Sequence, residues 1–398
     1  MTKFGYVSKQ PLDIPITQLG ETNFRDQRRR FGIKRADRLA HLYIIGKTGT
    51  GKSTLIANLA RSDLKNGEGF ALLDPHGDLV EQVLRQVPEE RQKDLIYFNV
   101  PDAAHALAFN PLESIEAKDR PLVASGLISV FKKIWAESWG PRMEYILRNA
   151  LLALLDLPFS TLLDIPRLLD EPAYRRQLLP YVQNAQVRRF WLREYESYPA
   201  RFRAEAISPI QNKVGEFLVN PILRGIVGQT KSAFDLRRVM DDGKILLVNL
   251  AKGKIGEDTA ALLGGMLVTK VGLAALNRSS VPEEERRDFY LYADEFPSFT
   301  TASFAGMLSE MRKYHVGLVL AHQFMEQVDE VVRGAILGNV GTMIAFRVGL
   351  SDGLLLEKEF HPEFAADDLI KLPNYHVYLK LMIDGVVSKP FSAATMPP

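Results

Sequence analysis

Eight consecutive residues have the types and spacing to hold a phosphate. Gly46, Lys47, Thr48, Gly49, Thr50, Gly51, Lys52 and Ser53 satisfy G-x-x-x-x-G-K-[ST] at each fixed position. Glycines at 46, 49 and 51 let the backbone curl so that its N–H groups converge on an anion. A helix starting at this point adds partial positive charge from its N-terminus. In such a loop Lys52 bridges the β- and γ-phosphates, the Ser53 hydroxyl ligates Mg²⁺, and Thr54 completes the nucleotide-binding set. The cofactors this implies are ATP and Mg²⁺.

A phosphate loop does not by itself separate kinases, GTPases and motors; the partner motif does. Residues 289–293 (FYLYA) are a hydrophobic run ending in Asp294 and Glu295. Asp294 at a strand tip would order the Mg²⁺ water shell, and Glu295 would reach the attacking water as general base. The competing reading is a solvated strand end. A third run, residues 317–321, ends in His322 and Gln323. A strand between the two nucleotide motifs would bring the Gln323 amide near the γ-phosphate, where it could sense hydrolysis; the competing reading is again a plain strand end. His322 is read as a neighbour. The catalytic set is thus Lys52, Glu295 and Gln323, with Ser53 and Asp294 on the metal. A small-molecule kinase is disfavoured by the acidic pair, by the long separation of the two motifs, and by the lack of a legible lid.

The elements that must position these residues emerge from the hydrophobic pattern. Residues 42–45, 70–73 and 95–98 are short buried-strand runs, with a helical pattern over 53–62. Alternating strands and helices predict an α/β fold built on a parallel sheet. From about 117 to 228 the text is Leu- and Arg-rich at helical spacing, punctuated by Pro158, Pro166, Pro172, Pro180, Pro199 and Pro209. The α/β rhythm then resumes with strands at 244–250, 289–293, 316–321 and 340–348, and helices at 258–275 and 303–315. A hairpin around Asp384-Gly385 closes the chain. The expected organisation is an N-terminal extension (1–40), an ATPase domain (41–116 and 229–398) and an all-helical insertion (117–228). Residues 10–19 are expected to be extended.

Residues 44–53, 74–77 (DPHG), 292–296 (YADEF), Arg312-Lys313 and 321–323 (AHQ) together resemble the HerA/FtsK superfamily of ring-forming DNA-pumping ATPases. Within it the chain looks most like the type IV secretion coupling proteins of the TraG/TraD kind. The resemblance implies a RecA-like P-loop NTPase domain with an inserted helical domain. It also implies a homo-oligomer, a hexamer, with ATP between subunits and DNA in the central channel. An arginine from one subunit would complete its neighbour's site; the matching position, eleven residues before the sensor Gln, is Arg312, with Arg347 as second candidate. The expected activity is DNA translocation driven by ATP hydrolysis. The alternatives are a nucleotide-gated scaffold that recruits a nuclease or secretion partner, and a protein-secretion ATPase. A relaxase is a further partner in view. Membrane coupling proteins usually carry N-terminal transmembrane helices and HerA proteins an N-terminal β-barrel, and neither is legible here.

Weaker signals remain two-sided. Asp74 could order metal waters or make an Asp-Pro turn. The loop 251–258 (AKGKIGED), with two glycines and the lysines Lys252 and Lys254, could touch DNA phosphates or be an ordinary strand-to-helix connection. Arg188, Arg189, Arg193, Arg201 and Arg203 interleave with Phe190, Trp191, Tyr195, Tyr198 and Phe202; this suits a single-strand track, but equally a helix with core aromatics and solvated arginines. The basic residues between 25 and 38 are read as a solvated face or subunit contact.

Composition bounds all of this. The chain has 398 residues, 46% hydrophobic and 25% charged, which excludes a disordered, collagen-like or coiled-coil description of the whole. A net charge of +2 means that DNA must be met by local basic patches. Cysteine is absent, which removes disulfides and zinc-thiolate sites. No apolar run reaches 18 residues, the best being 150–155, and no signal peptide is legible. The expectation is therefore a cytoplasmic chain without a membrane span, peripheral to the inner membrane only through a partner.

Overall fold

The computed structural model describes residues 16–23, 28–113 and 115–397. Its centre is an eleven-stranded sheet. In chain order the described strands, of which β11 and β12 form a separate two-stranded ribbon, are β1 (Ile16–Thr22), β2 (Arg30–Lys34), β3 (Leu42–Ile45), β4 (Gly69–Asp74), β5 (Leu95–Asn99), β6 (Ile245–Asn249), β7 (Phe289–Ala293), β8 (Val316–His322), β9 (Thr342–Ala345), β10 (His376–Lys380), β11 (Met382–Ile383), β12 (Val386–Val387) and β13 (Phe391–Thr395). The spatial order is β2-β1-β13-β10-β9-β3-β8-β7-β4-β6-β5. The seven strands from β9 to β5 are parallel, and β10, β13, β1 and β2 extend that edge antiparallel. The sheet is therefore mixed, not purely parallel. The first 40 residues contribute to it through β1 and β2; residues 10–15 and Arg25 lie outside the described residues.

Parallel strands covered on both faces must be apolar throughout, and β3, β4, β6, β7 and β8 are buried at every position. The side-chain period of two divides them into two cores. Tyr43, Leu73, Val248, Leu291 and Leu320 face one side; Ile44, Leu72, Leu247, Tyr292 and Val319 face the other. The first core runs on into the helical block, where every regular element from Arg120 to Val227 is helical. The closing hairpin forms as expected, its tip paired as β11–β12 around Asp384-Gly385.

One sequence expectation needs correcting. Among the described residues, the segment long and apolar enough to cross a membrane is Glu257–Ser280, not residues 150–155. Of its most apolar 18-residue stretch, 78% is buried inside the protein, because the helix Glu257–Leu276 packs on the helix Arg120–Ile134 and its side chains join the core on that side of the sheet. A core helix enclosed on all sides needs the same apolar composition as a membrane span.

Of the basic residues near the N-terminus, Arg28, Arg29 and Arg30 are exposed, as a solvated face would be, but Arg38 is not. Arg38 is wholly buried; its guanidinium pairs with Asp63, donates to the Tyr292 hydroxyl (2.7 Å) and Thr17 Oγ1 (3.1 Å), and lies over the Tyr290 ring. Arg35 pairs with Asp288 and Glu68, and Arg30 with Glu21. Since Asp63 lies on the helix Lys52–Asn66 and Tyr292 on β7, this buried network ties the phosphate-loop helix to the strand carrying the acidic pair.

Candidate active site

Strand order alone gathers the sequence-predicted residues. β8 lies between β3 and β7, so the C-terminal ends of three adjacent strands carry the glycine loop, Gln323, and Asp294-Glu295. That edge of an open α/β sheet is where ligands bind. A cleft of ≈ 220 Å³ opens there, lined by Thr48, Gly49, Gly51, Lys52, Ser53, Thr54, His76, Asp294, Glu295, Gln323 and Tyr375.

The loop has the curl its glycines permit. Gly49 and Gly51 take φ of 76° and 120°, values that L side chains rarely adopt. The Gly46 amide donates to the His322 carbonyl and the Lys47 amide to the Arg347 carbonyl (2.8 Å), anchoring the loop to β8 and to the end of β9. Lys52 begins the helix Lys52–Asn66; its ammonium donates to the Gly46 (2.6 Å) and Lys47 (3.2 Å) carbonyls. Burial lowers its pKa, opposed by the nearby Glu295 and Asp294.

Across the cleft the Ser53 hydroxyl donates to Asp294 Oδ2 at 3.3 Å. Asp294 is buried, and desolvation together with the adjacent Asp74 and Glu295 pushes its pKa up to about 7. A divalent cation at this point would relieve both effects, so the residues fit Mg²⁺, which takes few protein ligands and completes its octahedron with phosphate and water oxygens. Glu295 is a non-glycine residue at φ 49°, a left-handed turn that bends the chain off β7. Such a conformation costs on the order of 1 kcal/mol and persists only where surroundings hold it.

Gln323 joins the two motifs directly. Its Nε2 donates to Glu295 Oε1 (2.9 Å), and its Oε1 accepts from Thr48 Oγ1 (2.8 Å). Its own position is set by neighbours. The Gln323 and Phe324 amides donate to Gln327 Oε1, and the Met325 amide to the buried Asp352 (2.9 Å). His322 is buried and held neutral, its pKa lowered to about 3 by burial, with Nε2 against the Tyr43 hydroxyl at 2.6 Å.

Other candidates sort by position. Asp74 accepts from the amides of His76, Leu79 and Val80 (2.8–3.1 Å), so its carboxylate organises the turn into the helix Asp78–Leu84. Arg312 sits in the turn Met311–Tyr314 before β8, at the opposite end of that strand from Gln323. Seven strand residues put it about 20 Å from its own chain's cleft. Arg347 lies beside the loop, but its guanidinium is engaged by the Leu372 carbonyl (3.1 Å) and Asn374 Oδ1 (2.9 Å). Of the aromatics in the helical block, Phe190, Trp191 and Tyr195 are core residues, which removes them as stacking platforms. Lys252 and Lys254 form a short helical turn beyond β6, held by the Lys252 amide to the Pro75 carbonyl (2.8 Å).

Tyr375 was not legible in the sequence. Its amide donates to the Thr50 carbonyl (2.8 Å), φ is 64°, and its ring edge lies against Gly51, where a Cβ would come within 2.8 Å. Nothing local marks this tyrosine. It reaches the cleft because β10, which it precedes, pairs with β9.

Comparison with known proteins agrees with this architecture. A model of the type IV secretion-system coupling protein DNA-binding domain matches residues 32–353. Among solved structures, the chain is similar to plasmid coupling protein TrwB in complex with ADP and Mg²⁺ (TM-score 0.64, 18% identity, covering 91% of this chain and 86% of that one). It is similar also to TrwB with the non-hydrolysable GTP analogue GDPNP (TM-score 0.62, 18% identity, 92% and 87%). VirB4 of Thermoanaerobacter pseudethanolicus aligns over 96% of both chains at TM-score 0.61 and 14% identity. No curated protein matches the chain.

Proposed function

The chain belongs to the type IV secretion-system coupling protein DNA-binding domain family, and from that premise we propose that it is a Mg²⁺-dependent ATPase that drives DNA through a homohexameric ring. The observation that carries the reading is the hydrogen-bonded line Thr48–Gln323–Glu295, which runs from the phosphate loop to the acidic pair beside the Ser53–Asp294 contact. A solvated strand end would not bury its acids or share a glutamine with a phosphate loop. The TrwB complexes with ADP and Mg²⁺ and with a GTP analogue support nucleotide as the ligand.

In this reading residues 41–116 and 229–398 are the motor, 117–228 its helical insertion, and 1–40 an extension. Loop amides from 46–54 and Lys52 hold the triphosphate; Ser53 and Asp294 hold Mg²⁺, which supplies positive charge to the phosphate oxygens. Glu295 takes a proton from water as the water oxygen bonds to the γ-phosphorus and the bond to the bridging oxygen of ADP breaks. Gln323 orients Glu295 and reports the γ-phosphate to the loop through Thr48. Arg312, remote from its own cleft, serves a neighbour's, stabilising charge on the transferring phosphoryl group.

Steady-state ATPase activity with and without single- and double-stranded DNA, at low and physiological salt, tests the reading. DNA should stimulate turnover, and stimulation should fall steeply with salt because phosphate contacts release counterions. Slow turnover indifferent to DNA would favour a nucleotide-gated scaffold or a protein-secretion ATPase. A negative-stain image with ATP gives the ring size.

A further inference from the structure

The loop after Glu295 is gripped from outside its own elements. Residues 296–300 comprise the turn Phe296–Ser298 and the lead-in to the helix Ala302–Glu310. Within it the Ser298 amide donates to the Glu295 carbonyl (2.9 Å), and the Phe299 and Thr300 amides donate to the Phe296 carbonyl (2.9 and 3.1 Å). That pattern leaves the Pro297 and Thr300 carbonyls to other donors. Lys133 supplies both: its ammonium donates to the Pro297 carbonyl and to the Thr300 carbonyl (2.8 Å). Lys133 stands in the last turn of the helix Arg120–Ile134, the first of the helical block. A lysine there commonly serves its own helix's terminal carbonyls; this one is directed at another element.

The rest of the loop is held as well. The Phe299 ring lies against Gly264 of the core helix. The Phe296 ring meets His322 edge-on at 4.9 Å, one residue before Gln323. These residues thus touch the helical block, the core helix and the sensor strand. They come directly after Glu295, whose left-handed backbone ties the aim of its carboxylate to the course of residues 296–300.

We propose that Lys133 is a positioning residue for Glu295, the contact through which the helical block sets the direction of that carboxylate. The proposal rests on the reading of Glu295 as the water-activating base and extends it by naming what holds the base in place.

The test compares the full chain with K133M, which removes the donors, and K133R, which keeps donors within reach of both carbonyls. Hydrogen exchange at the amides of Ser298, Phe299 and Thr300 should accelerate on the order of tenfold in K133M and recover in K133R. ATPase kcat should fall on the order of tenfold in K133M with the affinity for a non-hydrolysable ATP analogue unchanged. Unchanged exchange at those amides overturns the proposal, as does acceleration spread across the whole chain. Equal losses of nucleotide affinity and kcat also overturn it. A wild-type chain that hydrolyses no ATP would sink the functional reading instead, while the exchange comparison still decides whether Lys133 holds the loop.

Discussion

Replacing Glu295 by glutamine is the most direct probe of the site, because the structure says what the change spares. Gln323 Nε2 donates to Glu295 Oε1 at 2.9 Å, and a glutamine carbonyl at the same place accepts the same bond. The residue is 7% exposed and its replacement is nearly isosteric, so no cavity opens. The proton acceptor disappears, and one negative charge with it. That charge is among the causes raising the Asp294 pKa, so its removal favours ionised Asp294, which offsets the loss of one negative charge near the cation. Loss of a general base costs typically ~10²–10⁴ in rate, or about 3–5 kcal/mol of barrier. Nucleotide affinity, read by titration with a fluorescent ATP analogue and Mg²⁺, should stay within about threefold of wild type, a difference below about 1 kcal/mol. Phosphate release in single turnover should fall by at least about a hundredfold. Turnover above about a tenth of wild type would refute the role of Glu295. An equal collapse of nucleotide affinity would refute the claim that the Gln323 bond is preserved.

The same geometry gives three further expected outcomes. Arg38→Ala leaves Asp63 buried without its partner and should cost about 3–5 kcal/mol in urea unfolding; a change below about 1 kcal/mol would show that the network is dispensable. His41 and His322 are both buried neutral, with pKa values lowered to about 4 and about 3 chiefly by burial. His41 accepts from the Leu318 amide at Nδ1 (3.1 Å) and donates from Nε2 to the Leu308 carbonyl (3.0 Å), so a second proton has no place. The unfolded chain takes protons that the folded one refuses. Their contribution is therefore complete above about pH 6.5 and is lost as pH falls, by about 2 kcal/mol per histidine at about pH 5, while Asp294, its pKa raised to about 7, contributes the opposite slope; in D294N, which removes that opposing titration, a flat melting temperature between about pH 8 and pH 5 would contradict this. Finally, Arg312→Ala subunits mixed into wild type should depress ATPase activity more steeply than their fraction, as expected of an arginine acting across a subunit boundary. A linear decline would remove it from that role.

Much of the site could be found in the linear text, for reasons that are local. A phosphate loop needs glycines at fixed intervals and a lysine and hydroxyl at the helix start, and those requirements leave a contiguous trace from Gly46 to Ser53. Strands buried on both faces must be apolar, so β3, β7 and β8 were legible together with the polar residues at their tips. Local pattern cannot carry who meets whom across the sheet. The order β3-β8-β7 brings Gln323 between Thr48 and Glu295. It is set by helices packing on both faces of the sheet, a property of the whole domain. Arg38 looked like one charge among several, and only packing shows it sealed against Asp63 and Tyr292. The helix at 257–276 was legible as a helix, but its length and apolar composition would serve a membrane span equally well, and only its neighbours show it enclosed in a protein core. Tyr375 and Lys133 have no sequence signature at all. Each reaches the site from an element distant in the chain, because hydrogen bonds to main-chain carbonyls ask nothing of the acceptor's side chain. Chemistry that needs particular side chains in a row was therefore written in the sequence, whereas chemistry that needs only proximity was decided by the fold.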